Sequence, residues 1–249
     1  MSTGSQDEFL QTVRRSLGRP GPTPPIDVER LFGPVESRGG PVSLESRAES
    51  RTGNELRILI DRFEKELTLV QGQVARIGSR EALEPYLRDL VESHKVKKLA
   101  RWDTPLLAEL DPFLQGLGVT VTPIKAARKG QRNSKRLRNA LIEADLGLTE
   151  ADYAIADTGT LVLLARGNQS RLVSVLPPIH VALVRPETLV SSMSDLLPLL
   201  GAKAREKNGR MSSAVTFITG PSRTADIETI RVVGIHGPIE LHAVLLEYL

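Results

Sequence analysis

Helix-like and strand-like segments alternate between residues 54 and 122, and this alternation limits the possible folds more than any other feature. The first helix-like segment has apolar residues at helical spacing, at Leu56, Leu59, Ile60, Phe63 and Leu67. A strand over 73–77 follows, and Ser79 opens a second helix whose apolar face holds Leu83, Tyr86, Leu87, Leu90 and Val91. Strands over 98–101 and 119–122 enclose a third helix over 104–117. Parallel strands need crossovers of about this size, so the pattern predicts an α/β fold with a mostly parallel sheet flanked by helices.

From residue 152 onward the sequence changes to short apolar stretches separated by polar turns. These stretches predict strands over 153–156, 160–165, 171–175 and 180–184. Gly167-Asn168 supplies the positive-φ positions of a hairpin turn between two of them. A helix over 192–206 follows, and the last predicted strands lie near 214–218, 229–233 and 241–246. We therefore expect a β-rich lobe beside the parallel sheet.

The first 53 residues differ in composition from the rest of the chain. Residues 5–17 predict a short amphipathic helix, with Ser5 and Glu8 spaced as a capping box. Residues 18–53 contain 6 Gly, 6 Pro and 4 Ser in 36 positions, which disfavours helices and central strands. We divide the chain into an N-terminal helix with a Pro/Gly-rich arm, 1–53, and one domain, 54–249. The arm wraps its own chain or packs on a neighbouring copy, which would make a homo-oligomer; a disordered tail is the alternative.

The absence of cysteine excludes several kinds of site. The chain cannot form disulfides, and its own thiolates cannot hold zinc or an iron–sulfur cluster. Its four histidines lack metal-ligand spacing, so we expect no dedicated metal site. No apolar run approaches the roughly 20 residues that span a bilayer, and the N-terminus lacks the features of a signal peptide. We expect a soluble, cytoplasmic protein.

One segment accounts for the basic character of the chain. The pI is about 9.3 at a formal net charge of +3, which raises the question of nucleic-acid binding. Residues 125–138 hold 7 basic residues and no acid, so the rest of the chain is mildly acidic. This segment has no aromatic residue for base stacking, and no known nucleic-acid motif accompanies it. We interpret it as a solvated loop that runs into a helix, with nucleic-acid binding as the alternative; docking of an acidic partner is compatible with the loop.

A Thr-Gly-Thr turn between two apolar strands is the first candidate binding loop. It comprises Asp157, Thr158, Gly159 and Thr160. Backbone N–H groups and hydroxyls in such a turn suit an anion. The alternative is an ordinary hairpin turn in which Asp157 bonds to its own backbone.

A second candidate loop follows the apolar strand near 214–218. Its polar and turn-forming members include Thr219, Gly220, Ser222, Arg223, Thr224, Asp226 and Glu228. Arg223 suits a carboxylate or phosphate through its fork of N–H donors, and the two acids would orient a bound group. In the alternative, Arg223 pairs with Asp226 and Ser222 caps a turn.

His236 is the histidine that we single out for acid–base chemistry. It lies in a short segment with glycines at 234 and 237, where it is more accessible than a histidine in an apolar run. The alternative is a turn histidine without a role. We interpret His180, at the start of a strand, as structural, and assign no role to His94 and His242.

Several ordered motifs together identify a family resemblance. They are the segments 146–149, 151–161, 176–180, 220–228 and 234–238. This order resembles the LUD-domain family, of the lactate-utilisation protein C type, and covers about residues 54–249. The short N-terminal helix and the Pro-rich stretch are also similar to that family. The basic stretch 125–138 departs from its pattern.

The resemblance implies a fold, a role and a site. It implies a NagB/RpiA/CoA-transferase-like α/β fold and a component of a lactate-utilisation system that oxidises L-lactate to pyruvate with iron–sulfur partner proteins. Ligands of such folds usually bind at the carboxyl ends of parallel strands, so we expect the three loops to form one pocket for a small anion or a nucleotide. The alternative is a free-standing enzyme of acyl-transfer or ligase type on a carboxylate or phosphate-bearing substrate, with His236 or Glu228 as the acid or base.

Overall fold

The chain folds around a six-stranded parallel sheet in the computed structural model, which describes residues 12, 51–124, 134–166, 169–206, 212, 214–225, 231–233 and 236–248. In chain order the strands are β1 (Gln73–Ile77), β2 (Lys98–Trp102), β3 (Thr120–Ile124), β4 (Leu146–Glu150), β5 (Tyr153–Ile155), β6 (Thr160–Leu164), β7 (Ile179–Val184), β8 (Leu189–Val190), β9 (Val215–Ile218), β10 (Arg223–Ala225), β11 (Arg231–Val233) and β12 (Glu240–Leu246). The large sheet has the order β1-β12-β7-β4-β2-β3, and every neighbouring pair is parallel. The predicted α/β class is confirmed.

Helices flank this sheet. They are α1 (Gly53–Leu69), α2 (Arg80–Ser93), α3 (Pro105–Ala108), α4 (Asp111–Gly116) and α5 (Ser134–Ile142), whereas α6 (Met193–Glu206) packs on β5 and β8. Helix α1 begins with a capping box in which Thr52 and Glu55 bond to each other's backbone N–H groups. Ser79 caps α2 by accepting a hydrogen bond from the backbone of Ala82, as the sequence predicts.

Two proline residues explain why the predicted helix over 104–117 is two short helices. Pro105 starts α3, and Pro112 lies in the first turn of α4. A proline inside a continuous helix would clash with the carbonyl four residues earlier, here that of Ala108, where α3 ends. The first helix therefore ends at Ala108, and a second helix begins at Asp111.

The predicted strand over 171–175 is wrong, because Arg171–Ser174 forms a 3₁₀ helix. Ser170 caps it by accepting from the backbone N–H of Leu172, and Ser174 Oγ donates to the carbonyl of Arg171. These local side-chain bonds offer the backbone an alternative to a strand. The 3₁₀ helix packs over β4, where a Cβ at Gly147 would lie 2.0 Å from the carbonyl oxygen of Val173.

The predicted strand over 180–184 exists, but it belongs to the parallel sheet and not to the lobe. All six residues of β7 are buried, as expected for a central parallel strand with both faces covered. Gly167-Asn168, the predicted hairpin turn, lies outside the described residues.

A four-stranded second sheet forms the β-rich lobe. Its order is β8-β5-β6-β9, with β5–β6 and β6–β9 antiparallel. A smaller core that includes Tyr153, Ile155 and Val162 joins this sheet to Leu196 and Leu199 of α6. Strands β10 and β11 form a separate antiparallel pair.

Two predicted segments lie largely outside the described residues. Of the helix at 5–17 only Thr12 is described, and it is helical. Of the basic segment, residues 125–133 are not described, while α5 begins at Ser134 and carries exposed Arg136 and Arg138. Among the described residues, no helix has both the length and the apolar character needed to cross a membrane.

Candidate functional site

Three threonine hydroxyls form a hydrogen-bonded chain where β6 meets the end of β9. Thr160 Oγ1 lies 2.7 Å from Thr158 Oγ1 and 2.7 Å from Thr219 Oγ1. The antiparallel register sets Leu161 opposite Ile218, which brings the flanking residues Thr160 and Thr219 together. Thr160 is buried, whereas Thr158 and Thr219 are exposed. Two bonds use two of the three hydroxyl protons, so one proton remains for another acceptor.

The turn that carries this chain is packed against α1. Gly159 has a φ of 58°, and a Cβ there would lie 2.2 Å from the backbone nitrogen of Leu67. The backbone N–H of Asp157 donates to the carbonyl of Ser191 (3.0 Å), and its carboxylate lies 3.0 Å from Arg62 Nη1 of α1. Both the positive φ and the lack of space for a Cβ require glycine at position 159. Asp157 pairs with α1 in this geometry.

The second candidate loop lies at the C-terminal end of the same helix. Gly220 has a φ of 89°, and a Cβ there would lie 2.7 Å from the carbonyl oxygen of Val70, the C-cap residue of α1. Arg223 Nη2 donates to that same oxygen. A cation is favourable at a helix C-terminus, so Arg223 stabilises α1 as well as being available to a ligand through its remaining N–H groups. Asp226, the alternative partner of Arg223, lies outside the described residues.

The third loop contacts the second. Ser222 N donates to the carbonyl of Pro238 at 2.8 Å, and His236 N donates to Ser222 Oγ at 3.3 Å. A Cβ at Gly237 would lie 3.3 Å from the Cβ of Ser222, so the two backbones are closely apposed. The His236 side chain is exposed.

The structure therefore brings parts of all three predicted loops together. We call these residues the loop cluster: Asp157, Thr158, Gly159, Thr160, Thr219, Gly220, Ser222, Arg223 and His236. Thr224 lies next to it in β10, and Glu228, like Asp226, lies outside the described residues. Thr219, the first residue of the second candidate loop, joins the cluster through its bond to Thr160.

The cluster lies at the amino ends of the parallel strands and not at the carboxyl ends, where we expected it. Val70 precedes β1 by three residues, and Pro238 precedes β12 by two. Ligand-binding loops at the carboxyl edge are those that follow strands of the parallel sheet, and our expectation assumed that these loops do so. Residues 157–160 and 219–223 instead belong to turns of the smaller sheet, and they contact the C-terminal half of α1 and its cap residue.

A second polar cluster, on the α2 side of the sheet, joins residues to which the sequence gave no role. Tyr86 Oη lies 3.0 Å from His242 Nδ1, and Glu240 Oε2 lies 3.4 Å from His242 Nε2 and 3.0 Å from His94 Nε2. Glu240 and His242 share one face of β12 because they are two residues apart. That spacing is the sequence signal for this network, and we call its four members the histidine network.

Hydrogen-bond partners define the proton positions in this network. A carboxylate only accepts, so His242 Nε2 donates to Glu240, and the Tyr86 hydroxyl donates to His242 Nδ1. Burial lowers the pKa of His242, although the bond to Glu240 opposes that shift. Burial raises the pKa of Tyr86 to about 12. At neutral pH the geometry therefore holds a neutral hydroxyl and a neutral imidazole next to the Glu240 carboxylate.

His180 has the environment of a structural histidine. It is fully buried, and its Nε2 lies 2.9 Å from Thr149 Oγ1 on the neighbouring strand β4. Burial lowers its pKa to about 3. Among the described residues, no group of three or more His, Asp or Glu side chains is placed to hold a metal ion.

Comparisons with known proteins agree on one family. The model of the LUD domain matches residues 60–246. A protein named lactate utilization protein C from Halalkalibacterium halodurans is 35% identical over 167 residues, which cover 66% of this chain and 69% of that protein. Its namesake from Shouchella clausii is 29% identical over 95% of both chains. A crystal structure of a DUF162 family protein from Deinococcus radiodurans, at 21% identity, covers 77% of this chain and 98% of its own with a TM-score of 0.53, and so shares the fold.

Proposed function

This chain belongs to the LUD domain family, and from that premise we propose that it acts in lactate utilisation as a subunit that binds a small anionic ligand or a nucleotide in the loop cluster. Relatives that match most of its length carry the name lactate utilization protein C. The proposed role is to supply a ligand-bound subunit to a system that oxidises L-lactate to pyruvate.

The observation that carries the binding proposal is the contact between the three loops. Thr160 bonds to Thr219, and Ser222 bonds to the segment that carries His236. These bonds gather hydroxyl donors and an exposed guanidinium in a small region. Such groups bind carboxylate or phosphate oxygens, and charge-assisted bonds from arginine are the stronger ones.

The partners that we propose are iron–sulfur proteins. The oxidation of lactate to pyruvate removes two electrons, and the chain has no cysteine with which to hold a cluster. The electrons must therefore pass to other proteins or to a bound cofactor. We propose that this subunit binds the small ligand and that its partner proteins carry the iron–sulfur clusters.

Gene deletion with complementation tests the role. We expect the deleted strain to lose growth on L-lactate and to keep growth on pyruvate. Wild type and Thr120→Val, a control on strand β3 away from the cluster, should restore growth, while Arg223→Gln should restore it poorly. Normal growth of the deleted strain on L-lactate would overturn the proposed role.

Copurification tests the partners separately. A tagged chain drawn from lactate-grown cells should bring down protein that contains iron and acid-labile sulfide. A preparation free of both contradicts the partner proposal. Turnover of an acyl or phosphate ester by the purified chain alone, lost in His236→Ala with the fold intact, would favour a free-standing enzyme instead.

A further inference from the structure

A pocket of about 340 Å³ lies at the carboxyl ends of the parallel strands, at the other edge of the sheet from the loop cluster. Helix α1 forms one wall, and the 3₁₀ helix Pro186–Thr188, which follows β7, forms another. The ends of β1 and β12 contribute Arg76 and Glu247. Open parallel sheets bind ligands at this edge, and the volume is at the lower end of the range for small-molecule sites.

The apolar part of the pocket comes from three side chains. Ile60 and Pro186 are buried, and Leu56 is partly buried. Together they offer a surface for a short aliphatic group. An apolar surface alone does not distinguish between ligands, so the charged residues around it determine which class of ligand binds.

The charge of Arg76 is already satisfied. Its guanidinium lies 2.7 Å from Asp61 Oδ1 and 2.6 Å from Glu247 Oε1, and Glu64 lies at 3.5 Å. These bonds fix Arg76 and Glu247 as a rigid part of the lining. The charges that remain available belong to Arg57, on the α1 wall, and Glu187, on the 3₁₀ wall. Within the described part of the chain, neither has an ion-pair partner.

Outside the ion pairs of Arg76, the pocket therefore presents one cation, Arg57, and one anion, Glu187, on different elements. A simple anion would pair with Arg57 and leave Glu187 without a partner. A simple amine would pair with Glu187 and leave Arg57 without one. A dipolar molecule satisfies both at once. We propose that this pocket binds a small zwitterion, an α-amino acid with an aliphatic side chain, whose carboxylate meets Arg57 and whose ammonium meets Glu187.

This site is distinct from the loop cluster in place and in chemistry. The loop cluster offers hydroxyls and a guanidinium at the amino edge, which suits an anion. The pocket offers both signs of charge at the carboxyl edge. The chain can therefore hold an amino acid while its proposed anion site is free or occupied.

Calorimetric titration of the full chain with three probes tests the proposal. L-Leucine carries both charges, 4-methylpentanoate lacks the ammonium, and isopentylamine lacks the carboxylate. We expect L-leucine to bind at least about tenfold more tightly than either half-molecule, because each charge-assisted contact adds to the affinity. No saturable leucine binding, or equal binding of 4-methylpentanoate, would overturn the proposal.

Variants locate the binding on the two walls. Arg57→Gln and Glu187→Gln should each weaken leucine binding about fivefold or more, as expected for losing one charge-assisted bond. Lys65→Gln removes the same charge from an exposed position of α1 that does not line the pocket, and should bind leucine like the wild type. Thermal unfolding confirms that each variant is folded. Unchanged affinity in both pocket variants contradicts the assignment.

Discussion

Arg223 donates a hydrogen bond to the carbonyl oxygen of Val70, the residue that caps the C-terminal end of helix α1. This bond joins the arginine of the loop cluster to the helix against which the Thr-Gly-Thr turn packs. Ligand binding and the stability of α1 therefore share one side chain. Substitutions in the cluster must be tested for folding as well as for binding.

The first prediction concerns Arg223. Arg223→Gln removes the cation at the C-terminal end of α1 and should lower the free energy of unfolding by about 1 kcal/mol. Urea unfolding measures the change. Arg171→Gln, at an exposed position of the 3₁₀ helix, is the control and should change it little. Equal effects of the two substitutions would contradict the structural role of Arg223.

The second prediction concerns the buried hydroxyl of the threonine chain. Thr160→Val keeps the shape but removes both hydrogen bonds, and should destabilise the fold by about 1–3 kcal/mol because its partners lose their bonds. Thr160→Ser retains the hydroxyl and should cost less in the same unfolding experiment. If both variants lose the same stability, the hydroxyl chain is not what holds the turn to β9.

The third prediction concerns Gly159. Gly159→Ala forces a Cβ to within 2.2 Å of the Leu67 backbone at a φ of 58°, so the turn or α1 must move. We expect a loss of about 2 kcal/mol or more, beyond the usual effect of a left-handed conformation. Gly118→Ala is the matched control, because Gly118 also has a positive φ, 79°, while a Cβ there would have nothing within 4 Å. A stable Gly159→Ala protein would contradict the close packing of this turn on α1.

The fourth prediction concerns acid stability. His180 has a folded pKa of about 3, below its ordinary value of 6.5, so the unfolded chain binds the extra proton first as the pH falls. Its contribution to stability is complete above pH 6.5 and is lost progressively as the pH falls toward 3. Between pH 7 and pH 5 the free energy of unfolding should fall by about 2 kcal/mol from this residue.

His242 adds to the same dependence, because burial also lowers its pKa. Urea titrations at several pH values measure the slope. His180→Asn should reduce the dependence of the free energy of unfolding on pH, and His242→Gln should reduce it less. If one variant fails to fold, the other still tests the prediction. A wild-type stability that is constant from pH 7 to pH 5 would contradict the burial of these two imidazoles.

The sequence predicted the parts of the fold that depend on periodicity and caps. The strand Gln73–Ile77 and the cap at Ser79 follow from local chemistry, and both are present. The 3₁₀ helix Arg171–Ser174 could not be found in this way, because its apolar residues also fit a strand. Its conformation depends on the local caps and on packing over Gly147, a long-range contact.

In the candidate site, too, the features that depend on local chemistry were predicted and those that depend on long-range contacts were not. Thr158 and Thr160 stood out because their turn chemistry is local, and the pairing of β6 with β9 then placed Thr219 beside them. The histidine network was not predicted, since His94 and Glu240 are 146 residues apart and only the sheet order brings them together. The expected location at the carboxyl edge was wrong because the loops belong to the smaller sheet.

The two glycines that face the main chain of α1 and its cap residue, Gly159 and Gly220, also determine which substitutions this chain can accept. A side chain at Gly159 or Gly220 would strike the main chain of α1, at Leu67 or Val70, and main-chain atoms are the same whatever residue occupies a position. No replacement of an α1 side chain can make the needed room. A side chain at either position is therefore accommodated only if α1 itself moves, so such a side chain in a relative would indicate a displaced helix.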